Sequence, residues 1–263
     1  MSILMCRPDF FGVEYEINPW MHVDVDVDRG RAVEQWEALE RLYTSLGETV
    51  SLVDPVRGLP DMVFTANAAV VRGRTAVLSR FRHAERQGEE AHWAAELAER
   101  GLEVHRLPRD LAFEGAGDAL FVGDTLYCGF GFRTDHGSHA IVARLLDVEV
   151  HSLHLIDPSF YHLDTCFCPL DDRTVLFAPH AFTPQSARLI RRTVPHVIEV
   201  PVEVAAGFAC NALRVGDRVV SSSAAEQLTR PLHDAGYDAV TLPMSEFMKS
   251  GGGVRCLSLP LEV

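Results

Sequence analysis

The sequence predicts an α/β fold in which about five strand–strand–helix–strand units close into a ring, as the blades of a propeller do. Four short hairpins recur around polar turns near residues 73, 123, 172 and 217, at spacings of about 50, 49 and 45 residues. Most hairpins are followed by a helical stretch and then by another short strand. A regular period of this length is typical of repeat architectures.

Each hairpin has β-rich residues on both sides of a short polar turn, which is the usual hairpin signature. The four stretches read AAVVRGRTAVLS, ALFVGDTLYCG, CFCPLDDRTVLFAP and ALRVGDRVVSS. A fifth hairpin is split, because GGVRCLSLPLEV ends the chain and SILMCRPDFFGV begins it. Pairing of the two chain ends would close the ring and remove exposed strand edges.

Five helices are expected to carry the chain into the next strand. The first has Trp36 and Tyr43 on its apolar face and ends at Gly47. Another begins at Thr183-Pro184, with threonine as the N-cap and proline in the first turn. The predicted ranges are residues 31–46, 89–100, 136–146, a stretch from 183 onwards, and 224–235.

Length and composition predict a single domain over residues 1–263, located in the cytoplasm. The chain is 47% hydrophobic and has a net charge of −13. This acidity disfavours nucleic acid and anionic membrane surfaces, which both bind basic residues. No signal-like or membrane-spanning apolar run is visible, and the six scattered cysteines are expected to be free thiols. A small molecule is therefore the expected partner, and a homo-oligomer is left open.

One polar residue stands just before the first strand of each predicted hairpin, at spacings of 51, 46, 47 and 45 residues. In a closed ring, equivalent positions point to a common centre. The sequence therefore predicts one cavity lined by two carboxylates, two amides and a thiol. These residues are Asn67, Asp118, Asp164, Asn211 and Cys256.

Cys256 follows three glycines in SGGGVRC. Glycines permit unusual backbone angles and a close approach of ligand to backbone. By its local context alone, Cys256 could be an ordinary buried cysteine. Its place in the ring favours a nucleophile, whose thiolate would need stabilising because a free thiol titrates near ~8.5.

The stretch YHLDTCFCPL contains His162, Asp164, Cys166 and Cys168 at alternate positions, so a strand would place all four on one face. The C-x-C spacing is tighter than zinc sites use, and no second pair of ligands follows, so we assign no metal here. His162 is a candidate acid/base if a nucleophile lies within reach, and otherwise a packed or surface histidine.

The glycine-rich stretch FEGAGDAL contributes Glu114 and Asp118. They are either solvated loop acids or, together with Asp164, a carboxylate cradle for a cationic group. A guanidinium would suit such a cradle, because its planar fork pairs with carboxylates. The acidic run HVDVDVDRG lacks the glycine and the final glutamate of a calcium loop, so no calcium site is assigned.

Six stretches together resemble one known group of proteins: INPWM, PDMVFTAN, FEGAGD, GFRTDHGSH, YHLDT and GGGVRC. Their order is similar to that of the guanidine-modifying pentein superfamily, and they cover essentially the whole chain. This group comprises arginine deiminases, dimethylarginine dimethylaminohydrolases, amidinotransferases and arginine dihydrolases. The resemblance implies a five-bladed α/β propeller with pseudo-fivefold symmetry, and a hydrolase of guanidino C–N bonds that uses neither metal nor organic cofactor.

The resemblance also implies roles for single residues. Cys256 resembles the nucleophile that attacks the guanidinium carbon and forms a covalent thiouronium intermediate. His162 resembles the general acid/base that protonates the leaving amine and then activates water. Glu114 and Asp164 resemble the carboxylates that grip the guanidinium, and Arg133 resembles the arginine that binds the substrate α-carboxylate.

Three further residues are carried over from the same group. Arg86 is assigned to assist Arg133, and Asn67 stands where deiminases and dimethylarginine hydrolases usually carry an aspartate. An amide there resembles the arginine dihydrolases, which convert arginine to ornithine, ammonia and carbon dioxide, and Asn18 is assigned as a second amide partner. An amide both donates and accepts, which suits a neutral ureido intermediate. The ordinary alternative for Asn67 is an Asx turn before the hairpin.

Other functions stay open at this point. A dimethylarginine dimethylaminohydrolase or an arginine deiminase would form citrulline instead of ornithine. A non-catalytic pentein binding protein would not need the nucleophile, the histidine and the acids together. A zinc-binding module built on the CFC stretch is the remaining alternative.

Overall fold

The computed structural model describes residues 2–222 and 227–261, and in this part of the chain fifteen strands form five three-stranded sheets. In every sheet the middle strand pairs antiparallel with one neighbour and parallel with the other. The antiparallel neighbour is the hairpin partner, and the parallel neighbour follows a helix. Five strand–strand–helix–strand units are therefore present, as the sequence predicts.

The strands are short, and each sheet combines three of them. Sheet by sheet, they are β1 (Ser2–Cys6), β2 (Thr49–Val53) and β15 (Leu259–Leu261); β3 (Ala69–Arg72), β4 (Thr75–Leu78) and β5 (Glu103–His105); β6 (Ala119–Val122), β7 (Thr125–Phe130) and β8 (Val150–His154); β9 (Phe167–Pro169), β10 (Thr174–Phe177) and β11 (His196–Glu199); β12 (Leu213–Val215), β13 (Arg218–Ser222) and β14 (Asp238–Leu242).

Three of the hairpin turns depend on glycine. Gly73, Gly123 and Gly216 have φ angles of 53°, 56° and 62°, in the left-handed region that glycine adopts without steric cost. The turn between β9 and β10 uses aspartate instead. There the side chain of Asp171 accepts a hydrogen bond from the Arg173 backbone N–H at 2.7 Å, which is an Asx turn.

The two ends of the described chain form the split hairpin that the sequence predicts. Strand β1 pairs antiparallel with β15, with Ser2 opposite Leu261 and Leu4 opposite Leu259. The pairing places Cys256, three residues before β15, next to the first unit of the chain.

The helices lie between the second and third strands of the units or on short connections. In chain order they are α1 (Arg29–Ser45), α2 (Ala84–Gln87), α3 (Glu89–Glu99), α4 (Gly115–Asp118), α5 (His136–Leu146), α6 (Pro184–Thr193), α7 (Val202–Ala205), α8 (Thr229–Asp234) and α9 (Ser245–Met248). Single 3₁₀ turns cover Pro60–Val63, Thr65–Asn67, Pro158–Phe160, Leu163–Thr165 and Pro179–Ala181.

Helix bounds follow the capping residues. α1 begins before the predicted range because the Asp28 side chain accepts a hydrogen bond from the Arg31 backbone N–H at 3.0 Å. Thr183 caps α6 through the Ser186 N–H, as predicted. The last predicted helix is shorter than expected, since α8 begins only at Thr229. Part of its predicted range, residues 224–226, lies outside the described residues.

Helix α1 fixes the end of the chain that carries Cys256. Its buried side chains Trp36 and Tyr43 belong to the same hydrophobic cluster as Cys256 and Leu257. The Tyr43 hydroxyl also lies 2.8 Å from the hydroxyl of Ser258, and this hydrogen bond is fully buried. Close packing on this face leaves the loop before β15 little freedom to move.

No helix in residues 2–222 and 227–261 has both the length and the apolar character that crossing a membrane requires.

Candidate active site

The five polar residues predicted to share a centre are all buried, and each precedes the first strand of its sheet. They do meet. Cys256 contacts Asp164 and Asn211, and the side chain of Asp118 reaches the segment that follows His162. Asn67 lies against Gly117, which also touches His162. One residue from every sheet therefore contributes to a single buried polar cluster.

Cys256 lies between a carboxylate and an amide. Its thiol donates to Asp164 Oδ2 at 3.2 Å, and Asn211 Nδ2 lies 3.0 Å from the sulfur. Burial, and then the negative charge of Asp164, raise the pKa of the Cys256 thiol well above its ordinary value. Burial also raises the pKa of Asp164 to about 7, although the cationic Arg255 partly offsets it. The isolated site therefore holds a thiol rather than a thiolate.

Asn211 positions Cys256, a role that the sequence predictions did not assign to it. Its Oδ1 accepts hydrogen bonds from the backbone N–H groups of Arg255 and Cys256 at 3.0 and 3.3 Å. Its Nδ2 also donates to the carbonyl of Asp164 at 3.2 Å. The regular spacing of polar residues was the available signal, because it placed Asn211 at the shared centre without indicating its contacts.

His162 is held by Glu114, which is in turn held by Arg133. The His162 Nε2 lies 2.7 Å from Glu114 Oε2, and Arg133 Nη1 donates to the same oxygen at 2.9 Å. Burial alone would raise the pKa of the Glu114 carboxyl, but Arg133 and the His162 hydrogen bond outweigh it and hold that pKa far below its usual range. Glu114 is therefore an anion, and the proton shared with it sits on Nε2. The other ring nitrogen, Nδ1, has no hydrogen-bond partner among the described residues.

Asn67 has a fixed orientation because of Arg86. Arg86 Nη1 donates to Asn67 Oδ1 at 2.8 Å, while its Nε and Nη2 donate to the two Glu89 oxygens at 2.7 and 2.9 Å. A guanidinium has only donors, so the amide oxygen must face Arg86 and the amide NH2 must face away. That NH2 lies against Gly117, at the position that a Cβ atom would occupy in any other residue. His162 Nδ1 borders the same position.

Buried polar atoms without a hydrogen-bond partner concentrate here. Within the described residues they include Asn67 Nδ2, Asp118 Oδ2, His162 Nδ1 and Asp164 Oδ1. An unpaired buried polar atom costs about 1–3 kcal/mol, so a group of them in one place is expected at a binding site. Both donors and acceptors are offered to a ligand.

The structure corrects the predicted strand through His162. Leu163–Thr165 form a 3₁₀ turn and β9 begins only at Phe167, so His162 and Asp164 do not share a strand face with the cysteines. The turn directs both polar side chains to the centre. Cys166 and Cys168 lie in the hydrophobic core, where burial raises the pKa of each thiol.

One group of side chains in the described residues could hold a metal ion, and it does not include the residues of the buried polar cluster. Among the described residues, the one acidic and histidine group close enough to share an ion is Glu16, His22 and Asp24, and all three are exposed. This group includes two residues of the acidic run near the first helix.

The remaining assigned residues lie at the edge of the cluster. Asn18 uses both ends of its amide within the protein, donating to the Ser250 carbonyl and accepting from the Trp20 backbone N–H at 3.0 and 2.9 Å. Asp118 accepts from the Leu163 backbone N–H at 3.0 Å, and burial raises its pKa to about 6. Asp118 therefore holds the turn after His162, and its predicted contact with substrate stays a prediction.

The segment around Asn18 covers the cluster. The Arg133 Nη2 donates to the Ile17 carbonyl at 2.9 Å, and the Trp20 indole donates to the Ser159 carbonyl at 2.9 Å. Tyr161, whose hydroxyl donates to the Gly251 carbonyl at 2.8 Å, lies beneath the Arg133 guanidinium. Arg133 and Arg86 are thus engaged within the protein, and their predicted contact with an α-carboxylate stays a prediction.

Residues 12–263 match the family of eukaryotic N,N dimethylarginine dimethylhydrolases. The chain belongs to this family. It is 41% identical to the N(G),N(G)-dimethylarginine dimethylaminohydrolase of Mycobacterium tuberculosis, over 98% of this chain and 85% of that protein. The predicted membership of the guanidine-modifying penteins is thereby confirmed.

A second relative is a bifunctional protein. The chain is 48% identical to the bifunctional arginine dihydrolase/ornithine cyclodeaminase ArgZ of Synechocystis sp., over 98% of its own length but 37% of ArgZ. A substrate-bound crystal structure of the N-terminal domain of ArgZ superposes with a TM-score of 0.95 at 47% identity, covering 98% of this chain and 97% of that one. The chain thus corresponds to roughly a third of ArgZ.

The raised pKa of Asp164 predicts a pH-dependent cost to folding. The folded protein keeps this proton up to about pH 7, whereas the unfolded chain releases it near ~3.9. Between those values the folded state binds more protons, so stability falls as pH rises. We expect Asp164→Asn to be more stable than the wild type by about 2 kcal/mol at pH 8 and to lose most of that advantage at pH 5.

Urea denaturation at both pH values measures this difference. The exposed Asp172→Asn substitution is the matched control and should follow the wild type at both. An Asp164→Asn advantage that is equal at pH 5 and pH 8 would contradict the assignment of the raised pKa to Asp164.

Proposed function

We propose that this chain is a hydrolase that attacks the guanidinium carbon of arginine through Cys256, and that it acts as an arginine dihydrolase. The proposal rests on the geometry of one amide. Because Arg86 occupies the Asn67 oxygen, Asn67 presents only its NH2 to the centre. A guanidinium offers only donors and cannot bond to that NH2, whereas the carbonyl of a ureido intermediate can.

The charges around Cys256 fit a cationic substrate. Glu114 is an anion, and Asp164 becomes one when a positive charge enters beside it. The same positive charge lowers the cost of forming a thiolate at Cys256, whose pKa is raised by burial and by Asp164. Binding of the guanidinium therefore generates the nucleophile, and an uncharged ligand would leave the thiol protonated.

The first hydrolysis then follows from the residues present. The Cys256 thiol passes its proton to His162 as the sulfur forms a bond to the guanidinium carbon. One C–N bond then breaks as His162 gives that proton to the departing ammonia. Water next attacks the thiouronium carbon while His162 takes a proton from it. The C–S bond breaks, the thiol is restored, and a citrulline-like ureido product remains. No step requires a metal or an organic cofactor.

A second hydrolysis distinguishes a dihydrolase from the citrulline-forming enzymes. The ureido carbon carries no charge, so the carboxylates no longer hold it by ion pairing. The Asn67 NH2 can donate to the ureido carbonyl oxygen and polarise the ureido carbon for attack by a second water, after which both remaining C–N bonds to that carbon break. Arginine and two waters then give ornithine, two ammonia molecules and carbon dioxide. The relative ArgZ is named as an arginine dihydrolase, which agrees with this assignment.

The alternative is a dimethylarginine dimethylaminohydrolase, the activity named for the Mycobacterium tuberculosis relative. It would use the same Cys256, His162 and carboxylates but stop at citrulline. An arginine deiminase would form the same product from unmethylated arginine. The donor that Asn67 directs into the centre has no evident use in either reaction.

We further propose that the five sheets are the blades of a five-bladed propeller forming one domain over residues 1–263. The first strands of all five sheets border one central cavity, which supports a radial arrangement. The polar cluster at the beginning of those strands would then lie on the axis. Cytoplasmic location, a small-molecule substrate and an open oligomeric state belong to the same proposal.

Product analysis tests the assigned reaction. We expect purified protein to convert arginine to ornithine, with citrulline appearing only transiently, and to be much less active on dimethylarginine. Chromatography of the amino-acid products after incubation with each substrate gives the answer. Citrulline as the stable product would favour the alternative, and no turnover of either substrate would contradict both.

Substitution of the cysteines tests the nucleophile. Cys256→Ser should lower arginine turnover at least about a thousandfold, because a serine hydroxyl is a far weaker nucleophile at neutral pH. Cys166→Ala and Cys168→Ala are matched controls, since they remove buried thiols close to the site in sequence and should retain most of the activity. Similar losses in all three variants would remove Cys256 from its role.

Asn67→Asp tests the amide. A carboxylate accepts hydrogen bonds but cannot donate to a ureido carbonyl, so the variant should release citrulline in place of ornithine. The ratio of the two products, measured at equal arginine consumption, is the readout. If that ratio is unchanged, Asn67 does not control the second hydrolysis.

A further inference from the structure

The cavity between the first strands of the sheets lies apart from the nucleophile. It has a volume of about 380 Å³ and is bordered by the first strands of all five sheets, with Val70, Leu120 and Phe167 on its apolar walls. Neither Cys256 nor His162 lines it. The cavity is therefore separate from the active site described above.

The two sites occupy opposite ends of the same five strands. The active-site residues precede these strands, whereas the cavity runs alongside them and reaches the hairpin turns at Gly123, Asp124, Asp171 and Asp172. A ligand in the cavity would enter from the hairpin side. It would not have to pass the segment that covers the active site.

Arg255 is the buried one of three arginines that line this cavity, the other two being Arg72 and Arg214. It is only 9% exposed, and it lines the cavity directly beside the nucleophile in sequence. Its Nη1 donates to the Ser258 carbonyl. Among the described residues, no carboxylate lies within 4.0 Å of its guanidinium nitrogens. Buried charges are normally paired, so a buried guanidinium with no carboxylate within 4.0 Å among the described residues can take an anionic ligand from the cavity.

We propose that this cavity binds a small monocarboxylate through Arg255. The planar guanidinium matches the two oxygens of a carboxylate, and the apolar walls suit a short hydrocarbon or fluorocarbon group. The acids at the hairpin turns, Asp124, Asp171 and Asp172, disfavour anions of higher charge. Asp124 is already paired with Arg72 at 3.0 Å, and Arg214 is exposed at the hairpin turn, which leaves Arg255 as the buried cation available to a ligand deep in the cavity.

A ligand bound in this cavity would change the electrostatic environment of Cys256 and Asp164. The positive charge of Arg255 partly offsets the effect of burial on the pKa of Asp164. A carboxylate bound to Arg255 would neutralise that charge, and Asp164 would keep its proton to higher pH. The cavity is therefore placed to weaken binding of a cation in the active site without occupying it.

Titration of the protein with trifluoroacetate, followed by ¹⁹F NMR, tests the binding itself. We expect one saturable site with a dissociation constant in about the millimolar range, weakened at least about tenfold in Arg255→Gln. Asp172→Asn should tighten binding about two- to threefold by removing negative charge at the entrance. Asp110→Asn, an exposed acid outside the cavity, is the matched control and should change nothing.

Arg133→Gln distinguishes this site from the active site, and it should leave trifluoroacetate binding intact. The inference is overturned if binding is not saturable, or if it is lost in Arg133→Gln and kept in Arg255→Gln. It is also overturned if Asp172→Asn and Asp110→Asn behave alike. Should Arg255→Gln fail to fold, the two aspartate variants still decide. None of these readouts uses turnover, so failure of the proposed reaction would leave the result interpretable.

Discussion

The hydrogen bond from the Cys256 thiol to Asp164 is the contact on which the rest of the site depends. A carboxylate 3.2 Å from a buried sulfur makes a thiolate unfavourable, so the free protein carries an unreactive thiol. In the proposed function, the same carboxylate attracts the cationic substrate. In the proposed reaction, formation of the thiolate is thus coupled to the charge of the substrate.

Each reacting group has a supporting residue that fixes its orientation. Glu114 holds His162, Asn211 holds Cys256, and Arg86 holds Asn67. These supports leave one atom of each reacting side chain directed to the centre, and several of those atoms lack a partner within the described residues. The large surrounding core compensates for that cost, because five sheets and their helices are packed around a small polar centre.

Much of the fold could be predicted from the sequence, because hairpins and helices are encoded locally. The turns near residues 73, 123 and 217, the pairing of the chain ends, and the five buried polar positions all follow from spacing. The strand through His162 was wrong, since a 3₁₀ turn is needed to direct two polar side chains inward before β9 begins. The contacts of Arg86 and Arg255 could not be predicted, because their partners or neighbours are close only in the folded chain.

The charges of the neighbouring residues determine whether an amide or a carboxylate is favoured at position 67. Arg86 and Glu89 neutralise each other through two hydrogen bonds, so Arg86 can support a neutral Asn67 without leaving a net charge. An aspartate at position 67 would add a negative charge beside the guanidinium of the substrate and would bind that cation more tightly. It would also remove the one donor that Asn67 directs at the centre. In the proposed reaction, Asn67 therefore lowers affinity for the charged substrate and favours recognition of the neutral intermediate, which is the property that continuation to ornithine requires.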